Sequence, residues 1–310
     1  MNFLNVCFFG YGSIAKRHIK NLVLLCKKQK IKLNIDLVRH NKNSERIDLV
    51  NNIYYKTINK NVKYDIVFIT NPTSLHYETL KSNIKNAKLF FIEKPLVIYD
   101  DINKVSNLNI SKNKVYVACP LRYKKIVQYI NNRINKDEVI GVRAICSSYL
   151  PEWRKGTDYK KSYSANKKLG GGVRLDLIHE WDYLKYLFGE PKNIIYKYGK
   201  YSKLNINTED VATYVADYND KLIELHVDYF GREYQRKIEL YTNDDVIVAD
   251  LKNNSVTYLN KKKVVKFKED RDDYQLLELK NLIDIYFKNK RNNNNLVDAI
   301  KTINLTRGKI

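Results

Sequence analysis

The stretch CFFGYGSIA, residues 7–15, decides the fold of the N-terminal part of the chain. An apolar run begins at Phe3 and stops abruptly at the first glycine of this stretch, and a segment of helical character follows. A strand, a tight turn and a helix in direct succession, with small residues spaced G-x-G-x-x-A, are typical of a dinucleotide-binding turn. An ordinary turn from a strand to a helix is the alternative.

Each small residue of this motif has a physical task. Gly10 permits the tight turn, Gly12 lets backbone amides approach a pyrophosphate, and Ala15 lets the helix pack close to the strand. The helix begins at Ser13, so the free N–H groups of its first turn, which includes Ile14, face the anion with the positive end of the helix dipole. We therefore predict that Gly10, Gly12, Ser13 and Ile14 bind a dinucleotide cofactor.

Strand-like and helix-like segments alternate over the first 120 residues. The strand-like segments are short and almost continuously apolar, as strands buried on both faces of a parallel sheet are. This alternation predicts a doubly wound parallel α/β sheet, in which ligands bind at the carboxyl ends of the strands. The predicted strands are Phe3–Phe9, Leu33–Val38, Asp65–Thr70, Leu89–Ile92 and Val115–Cys119, and the predicted helices are Ser13–Gln29, Ser74–Asn86 and Asp100–Leu108.

The second half of the chain has a different pattern, in which strand-like segments follow one another with hairpin signals between them. This pattern predicts an α+β domain with a large, mainly antiparallel open sheet. The predicted strands are Val139–Tyr149, Asn193–Tyr198, Ala212–Tyr218, Lys221–Phe230, Arg236–Tyr241, Val246–Leu251, Ser255–Leu259 and Val264–Phe267, and the predicted helices are Lys125–Ile134, Leu175–Phe188, Tyr274–Lys288 and Leu296–Thr306. We predict a cofactor-binding domain at residues 1–120 and a domain for substrate binding and oligomerisation at 121–310. The asparagine run at 292–295 is predicted to be a solvated loop.

The composition is that of a globular protein with a basic surface. Among 310 residues, 56 are Lys or Arg and 34 are Asp or Glu, which gives a formal charge of +22. The lysines are scattered and no nucleic-acid-binding motif accompanies them, so we expect a solvated surface and no nucleic-acid partner. No apolar run reaches about 18 residues, so we expect no membrane span. The four cysteines are far apart and form no C-x-x-C, which predicts reduced core thiols in a cytoplasmic protein and no metal site.

The residue after the second predicted strand bears on the choice of cofactor. An acidic residue at this position usually binds the ribose of NAD, whereas an arginine suits the 2′-phosphate of NADP. Arg39 stands there, and Asp36 is nearby but falls inside the strand. We therefore predict that Arg39 binds the cofactor and that NADP is preferred over NAD. A surface cation without a ligand is the alternative.

Two further strand ends carry loops that are stiffened by proline. Asn71 and Pro72 precede a helix that includes His76, and we predict that all three contact the cofactor. A capped loop without a ligand is the alternative. Glu93 and Lys94 directly follow a buried strand, and a lysine held at the floor of the cleft can hydrogen-bond a reacting hydroxyl. We predict a cofactor contact for both and a catalytic role for Lys94, with a solvated Glu-Lys pair as the alternative.

A glycine-rich segment precedes a helix in the second half. Residues 170–182, GGGVRLDLIHEWD, place Asp176 and His179 three positions apart, so their side chains share a helix face. A carboxylate orients an imidazole and stabilises its charge, and histidine accepts a proton near neutral pH. We predict that Asp176 and His179 form a catalytic pair. An acidic helix start with an incidental histidine is the alternative.

Aromatic and polar side chains suited to a sugar stand upstream of this helix. Trp153, Arg154 and Tyr163 lie in one predicted loop, and Arg122 closely follows the last strand of the N-terminal half. A sugar ring offers apolar faces for stacking and hydroxyls for hydrogen bonds. We predict that these four residues contact the substrate. Aromatic cover for the sheet, or a subunit contact, is the alternative.

Taken together, these motifs resemble the Gfo/Idh/MocA family, named after glucose–fructose oxidoreductase, inositol dehydrogenase and rhizopine catabolism proteins. The resemblance covers essentially the whole chain. Residues 149–163 and 179–182 resemble a branch associated with bacterial surface-sugar biosynthesis. The motifs that carry the family resemblance are GYGSIA with Arg17 and His18, Asn71-Pro72, Glu93-Lys94-Pro95 and residues 170–182.

The resemblance implies an N-terminal Rossmann domain and a C-terminal domain whose open sheet forms the contacts of a homo-oligomer, a dimer or a tetramer. It maps the family's catalytic lysine onto Lys94, and its aspartate and histidine onto Asp176 and His179. Many members space the last two residues four apart, whereas the spacing here is three and Glu180 occupies the fourth position. Both His179 and Glu180 therefore stay candidates for the side chain that faces the substrate.

The function that the resemblance implies is hydride transfer between the nicotinamide of NADP or NAD and a hydroxyl-bearing carbon of a sugar or nucleotide-sugar. The biological setting would be surface-polysaccharide or glycan biosynthesis. Two alternatives stay open. One is an NAD-dependent glycoside hydrolase with transient redox chemistry, and the other is a non-catalytic binding protein.

Overall fold

A parallel sheet of six strands organises the first part of the chain in the computed structural model, which describes residues 2–40, 47–154 and 156–310. Its strands are β1 (Phe3–Phe9), β2 (Lys32–Arg39), β3 (Asn52–Tyr55), β4 (Tyr64–Ile69), β5 (Ala87–Ile92) and β6 (Val115–Val117). The helices between them are α1 (Ser13–Lys28), α2 (His76–Asn83) and α3 (Ile102–Ser106). The strand order is β3-β2-β1-β4-β5-β6, which is the doubly wound order of a Rossmann fold, as predicted.

The order of this sheet reverses between β1 and β4, and that point defines where a ligand can bind. The chain leaves β1 toward β2 on one side and reaches β4 on the other, so a crevice opens at the carboxyl ends of these two strands. All six residues of β4 are buried, and Phe68 stacks on Phe8 of β1 with ring centroids 4.3 Å apart. The edge strand β3 was not predicted because it has only four residues and is partly exposed.

A sheet of eight strands organises the second part of the chain. It is preceded by α4 (Lys125–Arg133) and contains β7 (Val139–Tyr149); the helices α5 (Val173–Asp176) and α6 (His179–Phe188) follow. The remaining strands are β8 (Asn193–Gly199), β9 (Val211–Asp217), β10 (Leu222–Asp228), β11 (Phe230–Thr242), β12 (Val246–Asp250), β13 (Ser255–Tyr258) and β14 (Lys263–Lys266). Neighbouring strands are antiparallel except β7 and β10, so the prediction of a mainly antiparallel sheet is confirmed.

The chain ends with α7 (Arg271–Lys288) and α8 (Leu296–Leu305). Contacts divide the chain into two compact units, Met1–Pro120 with Arg271–Ile300 and Leu121–Asp270 with Lys301–Ile310. The first unit is therefore completed by α7, which packs on α1.

The asparagine run at 292–295 is not the solvated loop that we predicted. The side-chain amide of Asn292 donates to the carbonyl of Val115 at 2.7 Å, and that of Asn294 donates to the carbonyl of Val117 at 2.8 Å. Both asparagines are buried. Because β6 is an edge strand, its outward carbonyls need partners, and these asparagine side chains supply two of them.

Candidate functional site

The glycine turn joins β1 to α1. Gly10 has a φ of +91°, and a Cβ added to it would lie 3.0 Å from both the Cα and the N of Asn71, so the turn demands glycine on two grounds. Gly12 is the N-cap of α1, has an ordinary negative φ, and would have no atom within 4 Å of an added Cβ. An added methyl group would therefore project into open space at Gly12 and against the backbone of Asn71 at Gly10.

A cavity of about 600 Å³ lies at the carboxyl ends of β1, β2 and β4. It brings together three residues that we predicted as cofactor contacts, namely Gly10, Arg39 and Asn71. Gly12, Ser13, Ile14, Pro72, His76, Glu93 and Lys94 are not part of its lining, and their assignment to the cofactor stays a prediction. The cavity thus occupies the crevice that the strand order defines.

Positive charge is concentrated in this cavity. Arg39, His40, Lys56 and Lys60 line it, and Glu78 is its one carboxylate among the described residues. The Nη1 of Arg39 is buried and has no hydrogen-bond partner among the described residues. A buried guanidinium N–H without an acceptor is costly, so Arg39 can bind an anion that the described residues do not supply.

Tyr11, Lys56 and Lys60 are among the lining residues that the sequence did not predict. Tyr11 lies beneath two cations, with its ring centroid 5.6 Å from the guanidinium carbon of Arg39 and 4.9 Å from the Nζ of Lys16. Lys56 and Lys60 follow β3, and because that strand was missed the residues after its end were missed with it. The rule that residues after each strand are candidates would have found both lysines once the strand was recognised.

Asp36 lies inside β2, as predicted, and its carboxylate accepts hydrogen bonds from other side chains of the sheet. Tyr64 donates its phenolic O–H to Asp36 Oδ2 at 2.7 Å, and Asn52 donates its amide to Oδ1 at 2.9 Å. The side chain is buried. Asp36 is therefore held in the sheet rather than directed to a ribose at the strand's end.

His76 fastens two loops together. Its ring is buried, with Nε2 2.9 Å from the carbonyl of Asn71 and Nδ1 3.1 Å from the carbonyls of both Pro95 and Leu96. Burial lowers the pKa of His76 below its usual value, although the carbonyls act in the opposite direction. The imidazole thus connects the loop after β4 to the loop after β5.

Glu93 holds the other side of the same loop. Its Oε1 lies 2.5 Å from Nε2 of the buried His18 on α1, and its Oε2 accepts from the backbone N–H of Lys94 at 3.3 Å. Burial alone would raise the pKa of Glu93, but the hydrogen bond and charge of His18, together with the charges of Lys94 and His76, lower it, and the net shift is downward. The segment that carries Lys94 is therefore held in place by His18 and His76, and Glu93 is not part of a solvated Glu-Lys pair. The peptide bond between Lys94 and Pro95 is cis.

In the second unit, the predicted helix Leu175–Phe188 is wrong as a single element. It is divided into α5, which starts at Val173 and ends at Asp176, and α6, which begins at His179. The two predicted catalytic residues thus stand at the facing ends of separate short helices, and the helix-face argument that joined them does not hold. Gly172, with a φ of +119°, precedes α5, and this backbone conformation is rarely open to other residues.

Asp176 lies among tyrosines. Tyr229 donates its O–H to Asp176 Oδ2 at 2.5 Å, and Tyr163 also forms a hydrogen bond with this carboxylate. Burial, and then the charge of Asp176, raise the pKa of both phenols. The guanidinium carbon of Arg154 lies 5.3 Å from the centre of the Tyr163 ring. The structure therefore brings Arg154, Tyr163 and Asp176 into one cluster.

The choice between His179 and Glu180 is narrowed by burial. Glu180 is fully buried and accepts a hydrogen bond from Arg236 Nη2 at 2.8 Å, so its carboxylate is paired with an arginine inside the second unit. His179 is partly exposed at the first position of α6. Of the two, His179 is the side chain that a ligand can reach.

Arg122 and Trp153 also have partners inside the second unit. Arg122 is buried and forms a bidentate ion pair with Asp182, with distances of 2.9 and 2.6 Å. Trp153 donates its indole N–H to Ser148 Oγ at 3.0 Å. Their assignment as substrate contacts, like that of Arg154 and Tyr163, stays a prediction.

The four cysteines are free and buried. Within the described ranges, no group of three or more His, Cys, Asp or Glu side chains is placed to hold a metal ion. Among the same residues, no helix has the length and apolar character needed to cross a membrane.

Three solved structures share the fold of the chain. Levoglucosan dehydrogenase in complex with NADH has a TM-score of 0.84 at 14% identity and covers 99% of this chain and 96% of its own. UDP-N-acetylglucosamine 3-dehydrogenase from Acidithiobacillus ferrooxidans has a TM-score of 0.76 at 15% identity and covers 100% of this chain and 97% of its own. The WlbA dehydrogenase from Bordetella pertussis, in complex with NADH and UDP-GlcNAcA, has a TM-score of 0.76 at 13% identity and covers 99% of this chain and 95% of its own. At these identities the likeness shows the fold alone.

Sequence comparison gives a narrower match. 2,7-anhydro-N-acetylneuraminate hydratase of Escherichia coli (strain K12) is 29% identical over 128 residues, which are 41% of this chain and 34% of that protein. The match thus spans about a third of the length of this curated relative. A model of the oxidoreductase family with an NAD-binding Rossmann fold, Gfo/Idh/MocA, matches residues 4–119. The predicted resemblance is therefore confirmed over residues 4–119, which match the NAD-binding Rossmann fold of the Gfo/Idh/MocA oxidoreductases.

Proposed function

We propose that the protein is an oxidoreductase that transfers a hydride between a nicotinamide cofactor and a hydroxyl-bearing carbon of a sugar or nucleotide-sugar. The observation that carries the proposal is the cavity beside the glycine turn, where Gly10, Arg39 and Asn71 meet at the switch point of the parallel sheet. The names of the similar dehydrogenases, which include levoglucosan and UDP-N-acetylglucosamine, support a sugar substrate.

We propose that NADP is preferred over NAD, and the residues of the cavity support this proposal. Arg39 offers a buried N–H that has no acceptor among the described residues, and Lys56 and Lys60 add positive charge to the lining of the same cavity. Asp36, the nearest carboxylate on β2, is already bound by Tyr64. Levoglucosan dehydrogenase and the WlbA dehydrogenase are both in complex with NADH, so the preference for NADP depends on the residues of this chain alone.

The chemistry divides between the cofactor and the protein. The bound nicotinamide would supply the hydride acceptor or donor, and the side chains would bind, orient and exchange the proton. We assign proton transfer from the substrate hydroxyl to His179, and orientation to Asp176, whose carboxylate is itself held by Tyr229. We assign a hydrogen bond to the reacting oxygen to Lys94, on a segment that His18 and His76 hold in place.

The substrate is proposed to contact the loop around Trp153, Arg154 and Tyr163, because an arginine, an indole and a phenol suit a sugar ring and its substituents. We further propose that residues 1–120 bind the cofactor, that residues 121–310 bind the substrate, and that the eight-stranded sheet forms the contacts of a homo-oligomer. Surface-polysaccharide or glycan biosynthesis in the cytoplasm is the setting that we infer for the reaction.

The test begins with titration of NADP and NAD into the purified protein by calorimetry. Sugars and nucleotide-sugars are then screened for a change in the absorbance of the reduced cofactor. Lys94→Ala is expected to abolish turnover while cofactor binding stays measurable, and Lys81→Ala, at an exposed position in the same unit, is expected to change neither. Near-normal turnover by Lys94→Ala on the substrate found in the screen would refute the assignment.

A second candidate is an enzyme that uses the nicotinamide only transiently and shows no net redox change. It is favoured by the relative named as a hydratase. The same screen separates the two functions, because this one consumes substrate, in hydration, elimination or glycoside cleavage, without accumulating reduced cofactor. Product analysis by mass spectrometry, alongside the absorbance record, decides between them.

A further inference from the structure

A second cavity of about 600 Å³ lies at the amino-terminal edge of the six-stranded sheet, opposite the edge with the glycine turn. Three separate segments form it: the start of β5, the turn before β6, and the end of α7 with the loop that follows it. Its cationic lining side chains are Lys88, Lys112, Lys290 and Arg291, and its described lining contains no Asp or Glu. We propose that this cavity binds a small anion that carries two or more phosphate groups.

The charges of this cavity are mostly uncompensated. Lys88 donates from Nζ to Asp65 Oδ1 and to the phenolic oxygen of Tyr286, each at 3.0 Å. Lys112, Lys290 and Arg291 have no salt bridge to a carboxylate within the part of the chain that the structure describes. Cations that converge on one cavity repel each other unless an anion lies between them, and phosphate oxygens accept charge-assisted hydrogen bonds from both lysine and arginine.

The loop that carries two of these cations is firmly attached. The side-chain amide of Asn292 donates to the carbonyls of Val115 and Asn113. The side-chain amide of Asn294 donates to the carbonyl of Val117, and the backbone carbonyl of Asn294 accepts from the backbone N–H of Val117 at 3.0 Å. The loop therefore runs along β6 as an ordered segment. Side chains on an ordered backbone lose less freedom on binding than those on a mobile one.

The remaining lining groups suit the same class of ligand. Asn113, Asn289 and Asn295 offer neutral amide donors, and Tyr286 offers a phenol and a ring face. The cavity volume lies within the range of small-molecule sites. The scattered lysines of a +22 chain attract anions diffusely, whereas convergent cations around a cavity predict saturable binding with a defined stoichiometry.

The experiment is calorimetric titration of the full-length protein with inorganic tripolyphosphate and, separately, with ATP, at constant ionic strength and in the presence of saturating NADP. We expect one equivalent of tripolyphosphate to bind. The triple variant Lys112→Glu, Lys290→Glu and Arg291→Glu is expected to weaken this binding at least a hundredfold. Tighter binding of ATP than of tripolyphosphate would identify a nucleotide, and equal affinity would identify the phosphate chain alone as the recognised group.

The matched control places the same charge change at the far end of the same edge, with Lys27→Glu, Lys28→Glu and Lys32→Glu, and is expected to stay within threefold of the wild type. Circular dichroism checks that both triple variants are folded. The proposal is overturned if the wild type shows no saturable binding, if both variants weaken equally, or if NADP displaces all of the bound tripolyphosphate. Because the two triple variants are compared directly, the result stands even if the protein proves not to bind NADP.

Discussion

The two edges of the six-stranded sheet each carry a basic cavity of about 600 Å³, but the two cavities are assembled differently. At the carboxyl edge the backbone forms much of the site. A glycine turn, a helix N-terminus and the residues directly after several strands lie close together there because of the order of the strands. At the amino edge, three separate segments are joined by side-chain hydrogen bonds, from the asparagine amides to β6 and from Lys88 to Tyr286. A site of the first kind leaves a motif in the sequence, and a site of the second kind leaves none.

The largest expected effect tests the backbone-built edge. Gly10→Ala should lower the free energy of unfolding by about 2–4 kcal/mol, because the left-handed φ and the 3.0 Å approach to Asn71 both oppose a Cβ. Gly12→Ala should leave the free energy of unfolding within about 0.5 kcal/mol and weaken dinucleotide binding at least about tenfold, since its methyl would project into open space. Chemical denaturation and calorimetry measure the two effects. Equal stability of the two variants would contradict this account of the turn.

The next effect tests whether the carboxyl edge selects the cofactor by side-chain charge. Arg39→Ala should weaken NADP binding by about 1.5–3 kcal/mol, the usual worth of a charge-assisted hydrogen bond, and leave NAD binding nearly unchanged. Competition titrations with both dinucleotides measure the ratio. A parallel loss for NAD and NADP would show that the arginine does not contact a 2′-phosphate.

The amino edge should depend on side chains where the carboxyl edge depends on glycine. Asn294→Ala should lower the free energy of unfolding by about 1–3 kcal/mol, because it leaves the carbonyl of Val117 without its amide partner in a buried position. Lys290→Ala, at an exposed position in the same loop, should cost less than about 0.5 kcal/mol. Urea denaturation of the pair measures the difference, and similar values would return the asparagine run to the status of a solvated loop.

The smallest effect concerns the histidine that links the loops of the carboxyl edge. Burial lowers the pKa of His76, so below about pH 6.5 the unfolded chain takes up a proton that the folded protein does not. This site should therefore reduce stability on acidification, by at most about 1.4 kcal/mol per pH unit, the limit for one proton. His76→Gln should make the melting temperature fall less between pH 7.5 and pH 5. An unchanged pH dependence would show that His76 does not titrate differently in the two states.

The sequence predicts the sheets well because period and apolar run length are local properties. β1 and β7 have the predicted bounds, and the succession of strands and helices already indicates the doubly wound order. The strand β3 was missed because a short, partly exposed edge strand has no apolar run. The break between Asp176 and His179 was missed because the helical pattern continues through Leu177 and Ile178, both buried.

The candidate site was predictable only as far as its residues follow strand ends. Gly10, Arg39 and Asn71 do so, and the structure brings them to one cavity. The partners of Glu180 and Arg122 were not predictable, because Arg236 and Asp182 reach them only in the folded second unit. The same limit applies to the amino edge, where the meaning of the asparagine run depends on β6, some 180 residues earlier in the chain.

The return of the chain to complete the first unit also has a consequence for how the protein is made. Glu278 on α7 is fully buried and accepts a hydrogen bond from the backbone N–H of Cys119 at 2.6 Å. At roughly 5–20 residues per second, synthesis of the roughly 170 residues between that cysteine and the end of α7 takes about 10–30 s. During this interval α7 has not been synthesised, so the face of α1 that α7 covers is exposed. A chaperone that shields this face would therefore act before the last helices emerge.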